Sequence, residues 1–501
     1  MTRRDITTTE RLWPAIAVAA GSFMAVVAAG GLWQAMGAAP ELAEFDPREA
    51  FPGGDATARG SGATANAFSE PSGNMGFARE LDFKIGNAIF RKLWVSSPAS
   101  TKSSDGLGPL YNARACQRCH LKDGRGHPPT ANWPDDNAVS IVVGLSIPPQ
   151  TEADRESRRT RRKSVVSEPT YGAQLQDLAI KGHAGEGRLH ITYTERAVTL
   201  RGGDVVTLRT PRYRITDLGY GPLHPQTQMS VRIAPPMIGL GLLEAIPAAD
   251  IRALADPDDA NGDGISGRPQ EVWSASENRV MLGRFGWKAG QPTILDQSAA
   301  AAVNDMGLGS WLRPRAGGDC TDAQDVCLRA PHGGSDANPG HEFKSQLLEL
   351  VAFYSRNLAV PRRRNADDPQ VLAGKAVFSK IGCADCHTPS FKTGATAADP
   401  FLAGQTIWPY TNLLLHDMGD ALADQRAEGA ANGREWRTPP LWGIGLTGQV
   451  SGHTSFLHDG RARNLTEAIV WHGGEGQASR DRFVDLPKPD RAALLAFLNS
   501  L

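Results

Sequence analysis

Two pentapeptides with one spacing, Cys116-Gln-Arg-Cys119-His120 and Cys383-Ala-Asp-Cys386-His387, limit what this chain can fold into. The form Cys-x-x-Cys-His is the one that carries a c-type haem. Its two sulfurs make thioether links, and the adjacent histidine supplies the proximal iron ligand. With six cysteines and twelve histidines in 501 residues, the pattern is too rare to recur by accident. The competing reading, a CxxC redox or zinc site beside a stray histidine, would have to hold twice. A chain with 54 glycines, 34 prolines and few aromatic residues suits this task, because large prosthetic groups supply core volume that side chains then need not.

The 53 basic and 54 acidic residues leave a net charge of −1, so nothing points to nucleic acid or to an anionic membrane surface. The N-terminus reads Met1-Thr-Arg-Arg, followed by a mainly apolar run from Leu12 to Trp33 and the small residues Gly37-Ala38-Ala39. Residues 1–39 are therefore expected to direct export, as a signal peptide or as an inner-membrane anchor, since about 20 apolar residues also span a bilayer. Haem attachment of this type takes place on the oxidising side of the bacterial membrane, which makes the periplasm the expected location. Four cysteines are consumed by haem. The remaining pair, Cys320 and Cys327, can close a small disulfide loop there, with a thiol-active pair as the alternative.

The expected fold class is mainly α, with two cytochrome c-like haem domains in tandem. A polar linker (40–75) leads into a first unit (76–340) that holds an insertion at about 150–225. Alternation in Leu189-x-Ile191-x-Tyr193 and Val205-Val206-x-Leu208 makes that insertion partly β. The second unit (341–501) opens on the amphipathic stretch Leu347 to Phe353, runs through a helix over 371–381 into its haem motif, and closes on a helix near 491–501. An internal echo links the two. Arg232-Ile-Ala-Pro-Pro-Met-Ile-Gly-Leu-Gly-Leu242 resembles Arg437-Thr-Pro-Pro-Leu-Trp-Gly-Ile-Gly-Leu446, and Trp287 to Gln297 can be laid on His458 to Ala468.

The aligned copies differ at one place that matters. His472 follows His458 by fourteen residues, and at the corresponding place in the first copy stands Ala301, which cannot bind iron. A six-coordinate haem is built for electron transfer, whereas an open one can activate a small oxidant. His416 and Met418 compete with His472 as ligands. His127, seven residues past His120, is a candidate to cap the first haem in a resting state.

The segment Phe285-Gly-Trp287, Ile294-Leu-Asp-Gln297 and Asp305-Met306 resembles the peroxidatic signature of bacterial dihaem cytochrome c peroxidases. It is also similar to their relative that matures the tryptophan cofactor of methylamine dehydrogenase. Gly106-Leu-Gly-Pro-Leu-Tyr-Asn, Lys122-Asp-Gly-Arg-Gly, Leu415-His-Asp-Met-Gly and Glu435-Trp-Arg-Thr-Pro-Pro-Leu-Trp-Gly-Ile-Gly are closer still to the wider family of dihaem c-type oxidoreductases, a likeness that covers nearly all of 75–501. The resemblance implies that Trp287 relays electrons, that Gln297 lies in the distal pocket and that Asp305 handles peroxide protons. Three departures stand out. The acid is Asp rather than the usual Glu and sits two residues nearer the Gln; His472 replaces the Met or Tyr of those relatives; and the insertion is foreign to both.

Asp259-Ala-Asn261-Gly-Asp263-Gly264 repeats the first half of an EF-hand loop, which makes calcium a candidate ligand, against an Asx-rich turn that binds no metal. Together these features lead to an exported dihaem oxidoreductase. Hydrogen peroxide is expected as the small oxidant at the first haem, and a redox-protein donor is expected at the second. The alternatives are a non-catalytic electron-transfer module, or a haem enzyme acting on a protein or a metal ion.

Overall fold

Two helix crossings, each made at a glycine, organise the chain around its two Cys-x-x-Cys-His turns. The computed structural model describes residues 42–60, 63–335, 337–338 and 340–501. The named helices are α1 (Phe77–Phe90), α2 (Ile294–Met306), α3 (Ser345–Arg356), α4 (Pro369–Lys380), α5 (Leu465–Val470) and α6 (Lys488–Ser500). At Gly86, α1 lies so close to α3 that a Cβ would stand 2.3 Å from the Leu350 carbonyl oxygen. At Gly374, α4 meets α6 with a Cβ position 1.9 Å from the Ala493 oxygen. Four residues after each glycine comes a phenylalanine on the same helix face. Phe90 packs on Tyr354 of α3 and lies 6.3 Å, centroid to centroid, from His120; Phe378 packs on Phe497 of α6 and lies 6.3 Å from His387.

The stretch Leu347 to Phe353 forms a helix, as its spacing predicts. Its apolar face (Leu348, Val351, Tyr354) is buried with Phe83, Phe90 and Trp94, beside α1. Amphipathic spacing says that a helix buries one face, not which neighbour covers it. The linker expected over 40–75 is also bound down where it is described. Glu49 pairs with Arg363 at 2.7 Å, Trp408 N donates to Pro52 O at 2.8 Å, and Ser72 N donates to Asn357 O at 3.0 Å. The described residues from 42 onward form one compact unit.

Helix makes up 29% and strand 18% of the described residues, a mixed content where the sequence led to a mainly α class. The longest strands lie in the insertion and at its two borders. Strand β1 (Ile141–Ser146) pairs antiparallel with β4 (Gln228–Ile233), and between them β2 (Arg188–Thr199) and β3 (Val205–Thr216) form a hairpin in register from Arg188↔Thr216 to Thr199↔Val205. Gly202 and Gly203, both near φ +90, turn its tip. One end of the hairpin packs Ile191, Leu189 and Tyr193 on Ile141 and Val143. The other end inserts Leu200 and Leu208 among Phe378, Trp471 and Phe497. The inserted ribbon thus runs from one apolar cluster to another, and the second of these holds Cys383 of the second motif. Two short strands further on, β5 (Leu415–Asp417) and β6 (Glu435–Arg437), pair across His416↔Trp436. Among the described residues no helix is long and apolar enough to cross a membrane; the apolar run at 12–33 lies outside them.

Candidate functional site

Each Cys-x-x-Cys-His motif forms a single 3-10 turn, Cys116–Arg118 and Cys383–Asp385, that brings its histidine round to a cavity. All four cysteines are unbonded. His120 Nδ1 lies 3.0 Å from Pro235 O, and His387 Nδ1 lies 2.9 Å from Tyr410 O. A carbonyl only accepts, so each Nδ1 carries the proton and each Nε2 keeps its lone pair. Burial keeps both rings neutral, with pKa values pushed down to about 4 for His120 and about 3 for His387.

Both turns open on one continuous cavity, which includes about 3420 Å³ of atom-free space counting its mouths. Its walls include Arg125, Arg284 and Arg437. All three are buried, their pKa values fall to about 10 through desolvation, and among the described residues none has a carboxylate within ion-pair distance. Arg437 donates instead to Gly286 O and Thr438 O, Arg284 to Leu243 O, and Arg125 to Leu457 O. Buried cations without anions are costly unless a negative group joins them. Two imidazoles, four thiols and three guanidiniums around one large cavity fit two haems, whose propionates would supply anions for the arginines.

On the second side, His472 follows the end of α5 with Nδ1 2.8 Å from Ala468 O, which leaves its Nε2 free as in the two proximal histidines. It lines the cavity with His387 and sits near enough to perturb that ring. His416 has no such freedom. Its Nδ1 is 2.6 Å from Glu475 Oε2 and its Nε2 is 3.0 Å from Asn412 Nδ2, so both ring nitrogens are engaged. Met418 also reaches the cavity wall.

On the first side, Gln297, Ala301 and Asp305 follow one another at intervals of four along α2, which makes a single stripe of that helix. All three line the cavity. Desolvation raises the Asp305 pKa to about 6, against a hydrogen bond from Gln174 that lowers it. His127 is elsewhere. It is exposed, stands edge-on to His453 with centroids 4.5 Å apart, and is not on the cavity wall.

Between the two sides lies an aromatic stack of which sequence reasoning identified one member. Trp287 donates Nε1–H to Ile233 O at 2.9 Å, two residues before the carbonyl that holds His120. Its ring meets His458 edge-on at 6.5 Å, and His458 stacks on Trp436 at 3.8 Å with the planes 12° apart. Trp436 is paired across β5–β6 with His416, whose ring approaches Cys386 Sγ at 3.6 Å. The ammonium of Lys288 stands 4.6 Å from the centre of the Trp436 ring, tethered to Asp424 Oδ1 at 2.8 Å. His458 served as an alignment anchor in the sequence, but Trp436 lies 22 positions away, and no periodicity links the two.

Cys320 and Cys327 are disulfide-bonded. In the Asp259–Gly264 turn the oxygens bond inward: Asp259 Oδ1 accepts from Gly264 N at 3.1 Å, and Asn261 Oδ1 from Asp263 N at 2.9 Å. Among the described residues no three His, Cys, Asp or Glu side chains converge as a metal-binding group. A protein-family profile described as "Di-haem oxidoreductase, putative peroxidase" matches residues 49–501. No curated protein and no solved structure matches the chain.

Proposed function

The chain belongs to the di-haem oxidoreductase family, and from that membership we propose that it is an exported c-type cytochrome that reduces hydrogen peroxide at its first haem. It is organised as two cytochrome c-like units in tandem, each built on one of the glycine crossings. Cys116 and Cys119 would carry the first haem, with His120 as an iron ligand. Cys383 and Cys386 would carry the second, with His387 and His472 as iron ligands. Bound there, the haems supply a one-electron carrier at the second site and an iron with an open position for a small oxidant at the first.

The chain's own groups do the rest. Asp305 takes the proton from the nearer peroxide oxygen and delivers it to the farther one, so that the O–O bond breaks with water as leaving group. Over the whole reaction two electrons and two protons convert one peroxide to two waters. Gln297, about two turns back along the stripe, hydrogen-bonds the oxygen and holds it in line. Trp287, His458 and Trp436 offer a conjugated path for the electrons, which a redox-protein donor delivers near the second haem. Imidazole rather than thioether at position 472 lowers that haem's potential, which suits a low-potential donor.

The observation that carries this reading is the exchange of side chains at corresponding positions. Ala301 stands on the cavity wall of the first side, flanked by Gln297 and Asp305, where the second side presents His472. Optical and EPR spectra of the holoprotein, oxidised and half-reduced, test it. One high-spin, cyanide-accessible haem that reacts with peroxide is expected. Two low-spin haems inert to peroxide at every reduction level would make the chain an electron relay. Retention of haem through denaturing electrophoresis, lost one haem at a time in Cys116→Ser/Cys119→Ser and Cys383→Ser/Cys386→Ser, tests the attachment. Periplasmic recovery of the haem-stained protein tests the export.

A further inference from the structure

Asp305 has a partner that neither the motif nor the internal repeat supplies. Its Oδ1 accepts a hydrogen bond from Gln174 Nε2 at 2.8 Å. The same amide nitrogen donates to Asn112 Oδ1 at 2.8 Å. Asn112 Nδ2 donates onward to Asp177 Oδ1 at 3.0 Å and to Leu175 O at 2.8 Å. Gln174 is on the wall of the large cavity, while Asn112 and Asp177 line a separate small pocket with Trp133, Asp136 and Arg188. A short amide chain therefore runs from Asp305 away from the cavity to a second carboxylate, whose side chain is 19% exposed and paired with Arg188 at 3.5 Å.

The segment that presents Gln174 is held from behind. Asp319 Oδ2 accepts from the backbone nitrogens of Ala173 at 2.6 Å and Gln174 at 3.2 Å, and Arg315 holds the other oxygen at 3.0 Å. Gln176 donates to Asn304 O at 2.6 Å, beside Asp305. The disulfide between Cys320 and Cys327 starts at the residue after Asp319. With its backbone pinned and its amide oriented by Asn112, Gln174 can offer Asp305 an N–H in one direction only. A carboxyl at the edge of a cavity and with one donor behind it has its second oxygen left for whatever enters.

We propose that Gln174 is a positioning residue for the reaction, which holds the Asp305 carboxyl as a hydrogen-bonded carboxylate aimed into the cavity of the first haem. This rests on the reading of Asp305 as the proton carrier. Burial favours the neutral acid and the Gln174 hydrogen bond favours the anion, and the two leave the group titrating near neutrality. The other titratable groups against Asp305 are Cys116 and Cys119 on the attachment turn, which do not ionise once they are thioethers, with Asp177 and Arg188 beyond Asn112.

The test follows cyanide binding to the oxidised first haem of the holoprotein as a function of pH, because hydrogen cyanide must give up its proton to a nearby base before it ligates. The wild type is expected to show one ionisation near pH 6, and Asp305→Asn to lack it. Gln174→Met, similar in shape but without a donor, is expected to raise that ionisation by about one pH unit. Gln174→Glu, which sets a like charge beside Asp305, should raise it further. If Gln174→Met fails to hold haem, Asn112→Leu removes the acceptor that orients the amide, and the same upward shift is expected. An unmoved ionisation in Gln174→Met or Asn112→Leu, with Asp305→Asn still lacking it, would overturn the positioning role alone. An ionisation that survives in Asp305→Asn would remove Asp305 from the mechanism, and Gln174 with it.

Discussion

The two haem-motif regions are alike in how they are held together and unlike in what they present to the cavity. Gly86 and Phe90 against Tyr354 repeat as Gly374 and Phe378 against Phe497, and each phenylalanine reaches its motif histidine at the same 6.3 Å. In the facing segments the resemblance stops. Gln297, Ala301 and Asp305 on α2 align in sequence with Ala468 on α5 and with His472 and Gly476 beyond its end, and all six line the cavity. One side carries polar groups around a small central residue; the other carries a central ligand between small ones. The packing scaffold tolerates duplication without change because a glycine crossing asks only for close approach. The stripe has diverged because a side chain that can hold iron and a space that can admit a substrate exclude each other.

Exchanging the central residues should break this contrast most severely. Ala301→His offers the first iron a sixth ligand, and peroxide turnover in the holoprotein is expected to fall by at least about two orders of magnitude, the scale of losing a positioned reactive group. Its EPR spectrum should lose the high-spin signal. His472→Ala should do the reverse and make the second haem high-spin and cyanide-accessible. A variant Ala301→His with unchanged turnover and spin state would mean that the two stripes do not face their haems in the same way.

The scaffold comparison predicts a smaller, paired effect. Alanine at Gly374 or Gly86 would place a methyl carbon 1.9 Å from Ala493 O or 2.3 Å from Leu350 O, so each helix pair must separate. Overpacking of this kind typically costs about 1–3 kcal/mol, and calorimetry of the holoprotein should show both variants melting below wild type. Each loss should be felt at its own haem: Gly86→Ala should loosen the site of His120 and Gly374→Ala that of His387, read as separate changes in the two Soret contributions. If Gly86→Ala disturbed only the second haem, the α1–α3 crossing would not be what holds the site of His120.

The two Cys-x-x-Cys-His turns are visible in the sequence because their spacing is the one that thioether attachment of haem requires, and the cavity-lining stripe is visible because the internal echo lays Gln297 on Ala468 and Ala301 on His472. The glycine crossings were equally within reach, since Gly-x-x-x-Phe precedes both motifs. What stayed hidden depends on contacts that no local pattern encodes. Helix α3 stands next to the second unit in sequence, yet it packs on α1. His416 was a plausible ligand until Glu475, 59 positions later, occupied its Nδ1. Gln174 has no counterpart in the second copy, because the insertion that supplies it has none.

The aromatic stack joins the unlike halves, and substitutions there sharpen the comparison with a more modest effect. Trp436→Phe keeps most of the ring contact with His458, whereas His458→Leu breaks the stack in the middle and leaves Trp287 without a conjugated neighbour. Electron transfer between the haems, followed after rapid reduction of the second, is expected to slow by about tenfold in His458→Leu, a loss of the order of 1.4 kcal/mol in the barrier, and less in Trp436→Phe. Equal rates in all three proteins would show that electrons cross the cavity without the stack.

The smallest effect separates function from stability at Asp305. Its folded pKa is raised above the ordinary carboxyl value to about 6 by burial. A group raised in this way binds more protons in the folded than in the unfolded state between about pH 4 and pH 6, so folding is weakened as pH climbs through that window and stays weakened above it. Asp305→Asn removes the ionisation and keeps an acceptor for Gln174. Its melting temperature should exceed that of wild type by a few degrees at pH 7, roughly 2 °C, with the gap closing near pH 4. On the second side Gly476 occupies the matching place, and the ligand function there needs no acid. A variant that is more stable at neutral pH and yet slower with peroxide would locate at one carboxyl what the first side gave up in stability to become reactive. A melting gap constant from pH 4 to pH 7 would show instead that Asp305 is charged throughout.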